Sequence, residues 1–131
     1  MLTKAGMPSN KILVGVPSYG RSFRMSQQDC GTASCTFTGS GPGGSESNAK
    51  AGRCTGEKGW LAEAEIEEIV AGEGKGVHKW TEGMADYVVY GDGWEWVSYL
   101  SEERKREREG LYDRLGMLGS ADWSVDLQGP L

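Results

Sequence analysis

Two apolar segments lie near the ends of the chain, and a long, more polar region separates them. Residues 11–16 form an unbroken apolar run around Ile12, Leu13 and Val14. A run without alternation is typical of a strand that is covered on both faces, as in a parallel sheet. Residues 117–127 are also largely apolar, although polar residues interrupt them. We therefore predict two buried strands, one at each of these segments.

The region between these strands predicts a small α+β unit followed by a second helix. Residues 60–71 have an apolar side with helical period, and residues 77–99 are rich in aromatic and β-branched positions that predict a hairpin. A further helix is predicted from an N-cap at Ser101 to a terminating Gly116. Without residues 19–99, the order is strand, helix, strand, which is the β-α-β module of α/β proteins.

Composition adds loops to this picture and excludes two classes of partner. Glycine supplies 21 of the 131 residues, against roughly 7% in average proteins, and residues 24–59 are predicted to be largely loop. The net charge of −5 argues against nucleic acid as a partner. No apolar stretch approaches the roughly 18 residues that a membrane span requires, so no membrane partner is expected.

Three cysteines, Cys30, Cys35 and Cys54, lie within the glycine-rich loop region. One disulfide bond would constrain such a loop usefully, but the sequence does not select the pair, and three inert thiols are the alternative. A zinc site needs about four ligands, and the single histidine, His78, lies far along the chain. We therefore expect no metal and no cofactor.

Two residues with binding chemistry follow the first predicted strand directly. Tyr19 and Arg21 are two positions apart, so a continuing strand would point both side chains to the same side. Trp123 lies late in the second predicted strand. Ligand sites of parallel α/β proteins lie at the carboxyl ends of the strands, so these three residues are candidates for one site.

At these positions the chain resembles a known family. KILVGVPSYGRSF, residues 11–23, resembles the seventh barrel strand of glycoside hydrolase family 18 chitinases, with its G-[VM]-P-x-Y-G-R-x-F signature. GSADWSVDL, residues 119–127, resembles the eighth strand, whose pattern is G-x-x-x-W-x-x-D. The segments CTFTG (35–39) and GRCTG (52–56) are similar to the insert of cysteine-bearing fungal members with killer-toxin-like relatives.

The resemblance implies an α/β fold that is the C-terminal part of an eight-stranded (β/α)₈ TIM barrel. Residues 1–18 would be the end of helix 6 and barrel strand 7, and residues 19–99 an α+β chitinase insertion domain. Residues 100–131 would be helix 7 and barrel strand 8. Closing a barrel takes eight strands and typically about 250 residues, so the chain is expected to be a fragment.

The resemblance also implies roles for four residues in binding chitin or chitooligosaccharides. Trp123 would stack on the sugar that reacts, Tyr19 and Arg21 would bind substrate along the cleft, and Glu65 would hydrogen-bond a sugar. The apolar faces and hydroxyl edges of a pyranose suit such side chains. The alternatives are that Trp123 fills the barrel interior, that Tyr19 and Arg21 cap the strand, and that Glu65 is a solvated acid on an acidic helix.

The implied activity is hydrolysis of β-1,4-N-acetylglucosamine linkages by a substrate-assisted, retaining mechanism, in which the N-acetyl group of the substrate attacks. The family's catalytic acid ends a D-x-x-D-x-D-x-E motif, and the chain contains no such motif. The chain alone is therefore expected to supply binding residues but no catalytic residue. The parent protein is expected to be secreted, with no obligate protein partner, although this chain shows no signal peptide.

Two other functions remain open from the sequence. The parent could be a lectin-like family 18 relative that binds chitooligosaccharides without cleaving them. Residues 19–99 could instead form a disulfide-stapled module with no sugar role.

Overall fold

The computed structural model describes residues 2–72 and 76–127. Its strands are Leu13–Pro17 (β1), Tyr19–Arg24 (β2), Trp60–Ala62 (β3), His78–Glu82 (β4), Ala85–Tyr90 (β5), Glu95–Tyr99 (β6) and Gly119–Trp123 (β7). Its α-helices are Glu63–Ala71 (α1) and Glu102–Arg114 (α2). Residue 1 and residues 128–131, at the ends of the predicted barrel segments, lie outside the described residues.

The strands form two sheets with different topology. β1 and β7 make a two-stranded parallel sheet, which we call the parallel pair, in which Leu13 lies opposite Gly119 and Pro17 opposite Trp123. The other five strands form an antiparallel sheet in the order β3-β2-β6-β5-β4, and we call this sheet together with α1 the sheet lobe. α2 leads from β6 to β7 and packs against β7. The predicted strand–helix–strand order is thus confirmed, with the sheet lobe inserted after β1.

The main hydrophobic core lies between α1 and one face of the five-stranded sheet. Ile66 of α1 is fully buried there against the sheet residues Leu61, Val88 and Val97. A smaller cluster of Val16, Ala85 and Leu100 joins the sheet lobe to the parallel pair. The two parts of the molecule are therefore held together partly by apolar contact.

Several predicted elements have different bounds in the structure. The helix predicted at 60–71 begins only at Glu63, because residues 60–62 pair with β2 as a strand instead. The strand predicted at 117–127 is shorter, because the chain turns into a 3₁₀ helix at Val125–Leu127. Tertiary pairing thus overrides the local helical pattern at the start of α1.

The expectation that both faces of β1 are covered is wrong for the described residues. Leu13 of β1 and Leu118, beside β7, are more than half exposed. The parallel pair contains two strands, so each strand has a single neighbour in the described chain. The apolar run at residues 11–16 predicted more burial than the described residues provide.

The three cysteines of the loop region form one disulfide bond and leave one free thiol. Cys30 and Cys35 form a disulfide bond, and Cys54 is free and exposed. Residues 25–59 contain only a 3₁₀ turn at Gly44–Glu46 and isolated bridges at Phe37 and Gly39. The predicted loop is confirmed, and the alternative of three free thiols is wrong. None of the helices in the described ranges is long and apolar enough to cross a membrane.

Candidate functional site

The junction between β1 and β2 brings the first two candidate residues next to β7. Only Ser18 separates the two strands, and its backbone N–H donates to the carbonyl oxygen of Trp123 at 2.7 Å. Tyr19 therefore begins the sheet lobe one residue after the point where β1 is tied to the end of β7. The carboxyl ends of the parallel pair and the first residues of β2 lie together, as the sequence predicted.

Strand β2 divides its side chains between the core and an exposed face of the sheet. Gly20 and Ser22 are buried on the side of α1, so Tyr19, Arg21 and Phe23 point to the opposite side, which we call the open face. The guanidinium carbon of Arg21 lies 5.7 Å from the centroid of the Tyr19 ring, within cation–π distance. β2 thus presents a phenol and a cation side by side.

Tyr19 and Arg21 line a cavity of about 270 Å³ between the sheet lobe and α2. Its lining residues are Pro17, Tyr19, Arg21, Ala85, Ser98, Tyr99, Leu100 and Arg108. Arg108, which the sequence did not single out, is oriented by donation from its Nε to the carbonyl oxygen of Met84 at 2.9 Å. The cavity combines apolar walls with hydroxyl and guanidinium donors, which suits a ligand with hydroxyl or carbonyl groups.

Trp123 does not line this cavity, but it lies next to a residue that does. It is 69% exposed at the end of β7, opposite Pro17, which does line the cavity. The Trp123 ring is therefore not packed among the described residues. Its ring is free to stack on a ligand.

The open face extends away from Tyr19 as a series of aromatic rings. Adjacent centroids are 4.7 Å apart for Phe37 and Phe23, 5.9 Å for Phe23 and Trp96, 5.6 Å for Trp96 and Tyr87, and 5.5 Å for Tyr87 and Trp80. Sequence analysis missed this series because its members come from four strands (β2, β6, β5 and β4) and from the loop that contains Phe37. Only cross-strand pairing places them on one face.

Glu65 lies elsewhere, on the α1 side of the sheet, and does not share the cavity with Tyr19 and Arg21. Its Oε1 accepts from the backbone N–H groups of Cys54 (2.6 Å) and Thr55 (3.2 Å), and its Oε2 accepts from Ala62 N–H (3.0 Å). Burial opposes ionisation, but these hydrogen bonds outweigh it and lower the pKa of Glu65. The interpretation of Glu65 as a solvated acid is wrong, since the side chain is buried.

We expect Glu65→Ala to reduce the free energy of unfolding by about 2–4 kcal/mol, because three backbone donors lose their acceptor. Glu68→Ala is the matched control, since Glu68 lies on the same helix and pairs with Arg53 only at the exposed surface. Urea unfolding of both variants measures the difference. Equal stability of the two variants would show that Glu65 does not hold the loop at 52–55.

The described residues also limit the chemistry of the site. Within residues 2–72 and 76–127, no three His, Cys, Asp or Glu side chains come together in a way that could hold a metal ion. The polar and aromatic groups that line the candidate cavity are the Tyr19 and Tyr99 phenols, the Ser98 hydroxyl and the guanidinium groups of Arg21 and Arg108.

Comparison with known proteins shows the family of the chain. The model of the family described as "Glycosyl hydrolases family 18" matches residues 1–127. The chain belongs to glycosyl hydrolase family 18. The family resemblance inferred from the two strand signatures is thereby confirmed.

Two family 18 relatives come from Penicillium expansum. One, named a probable chitinase, is 41% identical over 130 residues, which is 98% of this chain and 9% of the relative. The other, named a secreted chitinase, is 40% identical over 131 residues, which is 98% of this chain and 8% of the relative. The chain thus spans less than a tenth of the length of these relatives.

Among solved structures, the chain is similar to YKL-39 in the presence of chitooligosaccharides. The TM-score is 0.76 at 28% identity, over 95% of this chain and 31% of that one. A second structure, with a TM-score of 0.72 at 28% identity and the same coverage, describes human YKL-39 as a pseudo-chitinase with retained chitooligosaccharide binding properties. Family 18 is a TIM-barrel family, and the described residues of this chain form an α/β structure with one parallel and one antiparallel sheet.

Proposed function

We propose that the chain is the C-terminal part of the barrel of a fungal chitinase and supplies one wall of its chitooligosaccharide-binding cleft. In this proposal β1 and β7 are barrel strands 7 and 8, α2 is helix 7, and the sheet lobe is the chitinase insertion domain. The observation that carries the proposal is the backbone tie between Ser18 and Trp123, next to Tyr19 and Arg21. It sets three sugar-binding side chains around the carboxyl ends of two parallel strands.

The distribution of exposed apolar side chains supports the barrel part of the proposal. Of eight large hydrophobic residues that are exposed in the described chain, seven lie between residues 2 and 13 or between 115 and 125, and Phe37 is the exception. Six further strands of a barrel would cover the parallel pair on its free edges and faces. The solved relative of which this chain covers 31% has the length for such strands.

The substrate assignment rests on the chemistry of the cleft residues. Trp123 offers a flat apolar surface to one face of a pyranose, and Tyr19 and Arg21 offer donors to its hydroxyl and acetamido oxygens. The parent protein would hydrolyse chitin, with the catalytic acid supplied outside this chain. Secretion of the parent is supported by the relative named a secreted chitinase and by the disulfide bond Cys30–Cys35.

Glu65 has a different role in this proposal from the one implied by the family resemblance. Both of its carboxylate oxygens accept hydrogen bonds from the backbone. We therefore assign it to the support of the loop at 52–55, and we place substrate contacts on Tyr19, Arg21 and Trp123.

Titration of the ¹⁵N-labelled chain with chitotetraose tests the binding role. We expect chemical-shift changes at Tyr19, Arg21 and the Trp123 indole, and an affinity about tenfold lower for Arg21→Gln, because a charged donor is lost. Arg53→Gln is the control, since Arg53 is exposed beside α1 on the other side of the sheet. Absence of any shift in wild type, or equal affinity of both variants, would contradict the proposal.

The second candidate is a lectin-like parent that binds chitooligosaccharides without cleaving them. The description of YKL-39 as a pseudo-chitinase supports this candidate. Both candidates predict that this chain binds chitotetraose without cleaving it. Hydrolysis assays on the full-length parent separate them: turnover identifies a chitinase, and binding without turnover identifies the lectin-like protein.

A further inference from the structure

A buried ionic cluster lies at the junction between the parallel pair and the sheet lobe. Lys105 is the buried residue of α2, with 4% of its surface exposed, and Glu63, the first residue of α1, is 3% exposed. The Lys105 ammonium donates to the Glu63 carboxylate, to Glu102 Oε1 at 3.1 Å and to Ser18 Oγ at 3.4 Å. Charged side chains are almost never buried this deeply unless they are paired.

Ser18 is the residue on which this cluster converges. Its N–H donates to the Trp123 carbonyl oxygen at 2.7 Å, and its carbonyl oxygen accepts from Glu63 N–H at 3.1 Å. Its hydroxyl oxygen lies at the Lys105 ammonium. Ser18 is thus fully buried and hydrogen-bonded to residues of β7, α1 and α2.

Stability alone gives little reason for such a cluster. Replacing a buried ion pair by apolar residues of similar volume is often neutral or stabilising, because the desolvation of both charges offsets their attraction. Burial raises the pKa of Glu63, against the opposing effect of Lys105. Burial would lower the pKa of Lys105, but its hydrogen bonds to Glu63 and Glu102 outweigh this and raise it. What the cluster does provide is geometry: the hydrogen bonds of Lys105 connect α2 to Glu63 of α1 and to Ser18 between β1 and β2.

We propose that Lys105 and Glu63 are positioning residues that fix Ser18 and thereby set the offset between Tyr19 and Trp123. This inference rests on the proposed sugar-binding function of those two side chains. Ser18 precedes Tyr19 directly and is bonded to Trp123, so a displacement of Ser18 changes the separation of the two sugar-binding rings. A ligand that contacts both rings loses affinity when their offset is no longer fixed.

The test uses a double variant, Glu63→Leu with Lys105→Met, which keeps the volume of the pair and removes its polar ties. The single variant Lys105→Met is not used, because it would leave the buried Glu63 carboxylate without its cation. Arg106→Met is the matched control, because Arg106 is exposed on the same helix. All variants are prepared in the full chain and their melting temperatures are recorded.

Two measurements separate a positioning role from a structural one. Hydrogen exchange, measured without sugar, should show at least tenfold faster exchange at the Ser18 amide in the double variant, with the core amide of Val97 unchanged. Affinity for chitotetraose should fall about tenfold in the double variant although its melting temperature is not lowered. In a Trp123→Ala background, the same double substitution should cause no further loss, since the offset no longer matters.

Each failure has a distinct signature. Unchanged Ser18 exchange, or wild-type affinity in the double variant, would overturn the positioning role. An equal loss of affinity with and without Trp123 would overturn it as well. A wild-type chain that does not bind chitotetraose would instead overturn the proposed function, whatever the exchange rates show.

Discussion

Gly20→Ala is expected to lower the free energy of unfolding by about 3 kcal/mol, because the sheet lobe has no room for a methyl group at this position. A Cβ atom there would lie 2.6 Å from Val97 Cγ2, 2.7 Å from Ile66 Cδ1 and 2.9 Å from the backbone oxygen of Ser98. The two side chains can shift, but the Ser98 carbonyl belongs to the neighbouring strand β6 and is held by the sheet. Chemical denaturation of the purified chain measures the loss.

Gly15→Ala is the matched control for this substitution. Gly15 belongs to the same nine-residue signature, but a Cβ atom at its position meets nothing within 4 Å. We expect its stability to equal that of wild type within about 0.5 kcal/mol. If both variants are equally destabilised, close packing of β2 against α1 is not the reason for a glycine between Tyr19 and Arg21.

Trp123→Ala is expected to weaken binding of chitotetraose about thirtyfold, which corresponds to about 2 kcal/mol of lost apolar contact. Trp123 is 69% exposed, so its removal should leave the melting temperature of the chain nearly unchanged. The effect is therefore expected in the affinity alone. Isothermal titration calorimetry and thermal unfolding on the same preparation measure the two quantities.

Two control variants test whether the loss of affinity is specific to Trp123. Val125→Ala removes an apolar side chain with the same exposed fraction two residues further on. Phe37→Ala removes an exposed aromatic ring at the far end of the open face. Both should bind like wild type within about twofold. Equal weakening in any of the controls would mean that Trp123 acts only as general apolar surface.

The predicted elements that depend on local pattern are largely present. The hairpin predicted within 77–99 occurs as β5 and β6, and the helix after Ser101 occurs as α2. Elements whose limits depend on distant residues were placed less well. Trp60 and Leu61 follow the helical pattern of α1, yet they form β3 because β2 offers them hydrogen-bond partners.

The candidate site shows the same division. Tyr19 and Arg21 were predicted to share a side because strand residues two apart point the same way, and both line one cavity. The role of Glu65 could not be predicted from its helical segment, because its three donors come from residues 54, 55 and 62. Arg108 and the aromatic series of the open face were missed, since no local spacing connects their members.

The sequence by itself determined the family, the order of the elements and the side chains that we propose for sugar binding, because these depend on short motifs and on strand and helix periods. Only the tertiary structure decided which cysteines pair, which acid is buried and how Tyr19 and Trp123 are held relative to each other. The buried contacts of Ser18 join residues separated by 45, 87 and 105 positions, namely Glu63, Lys105 and Trp123. Contacts of that length follow from the packing of whole elements, and no local pattern records them.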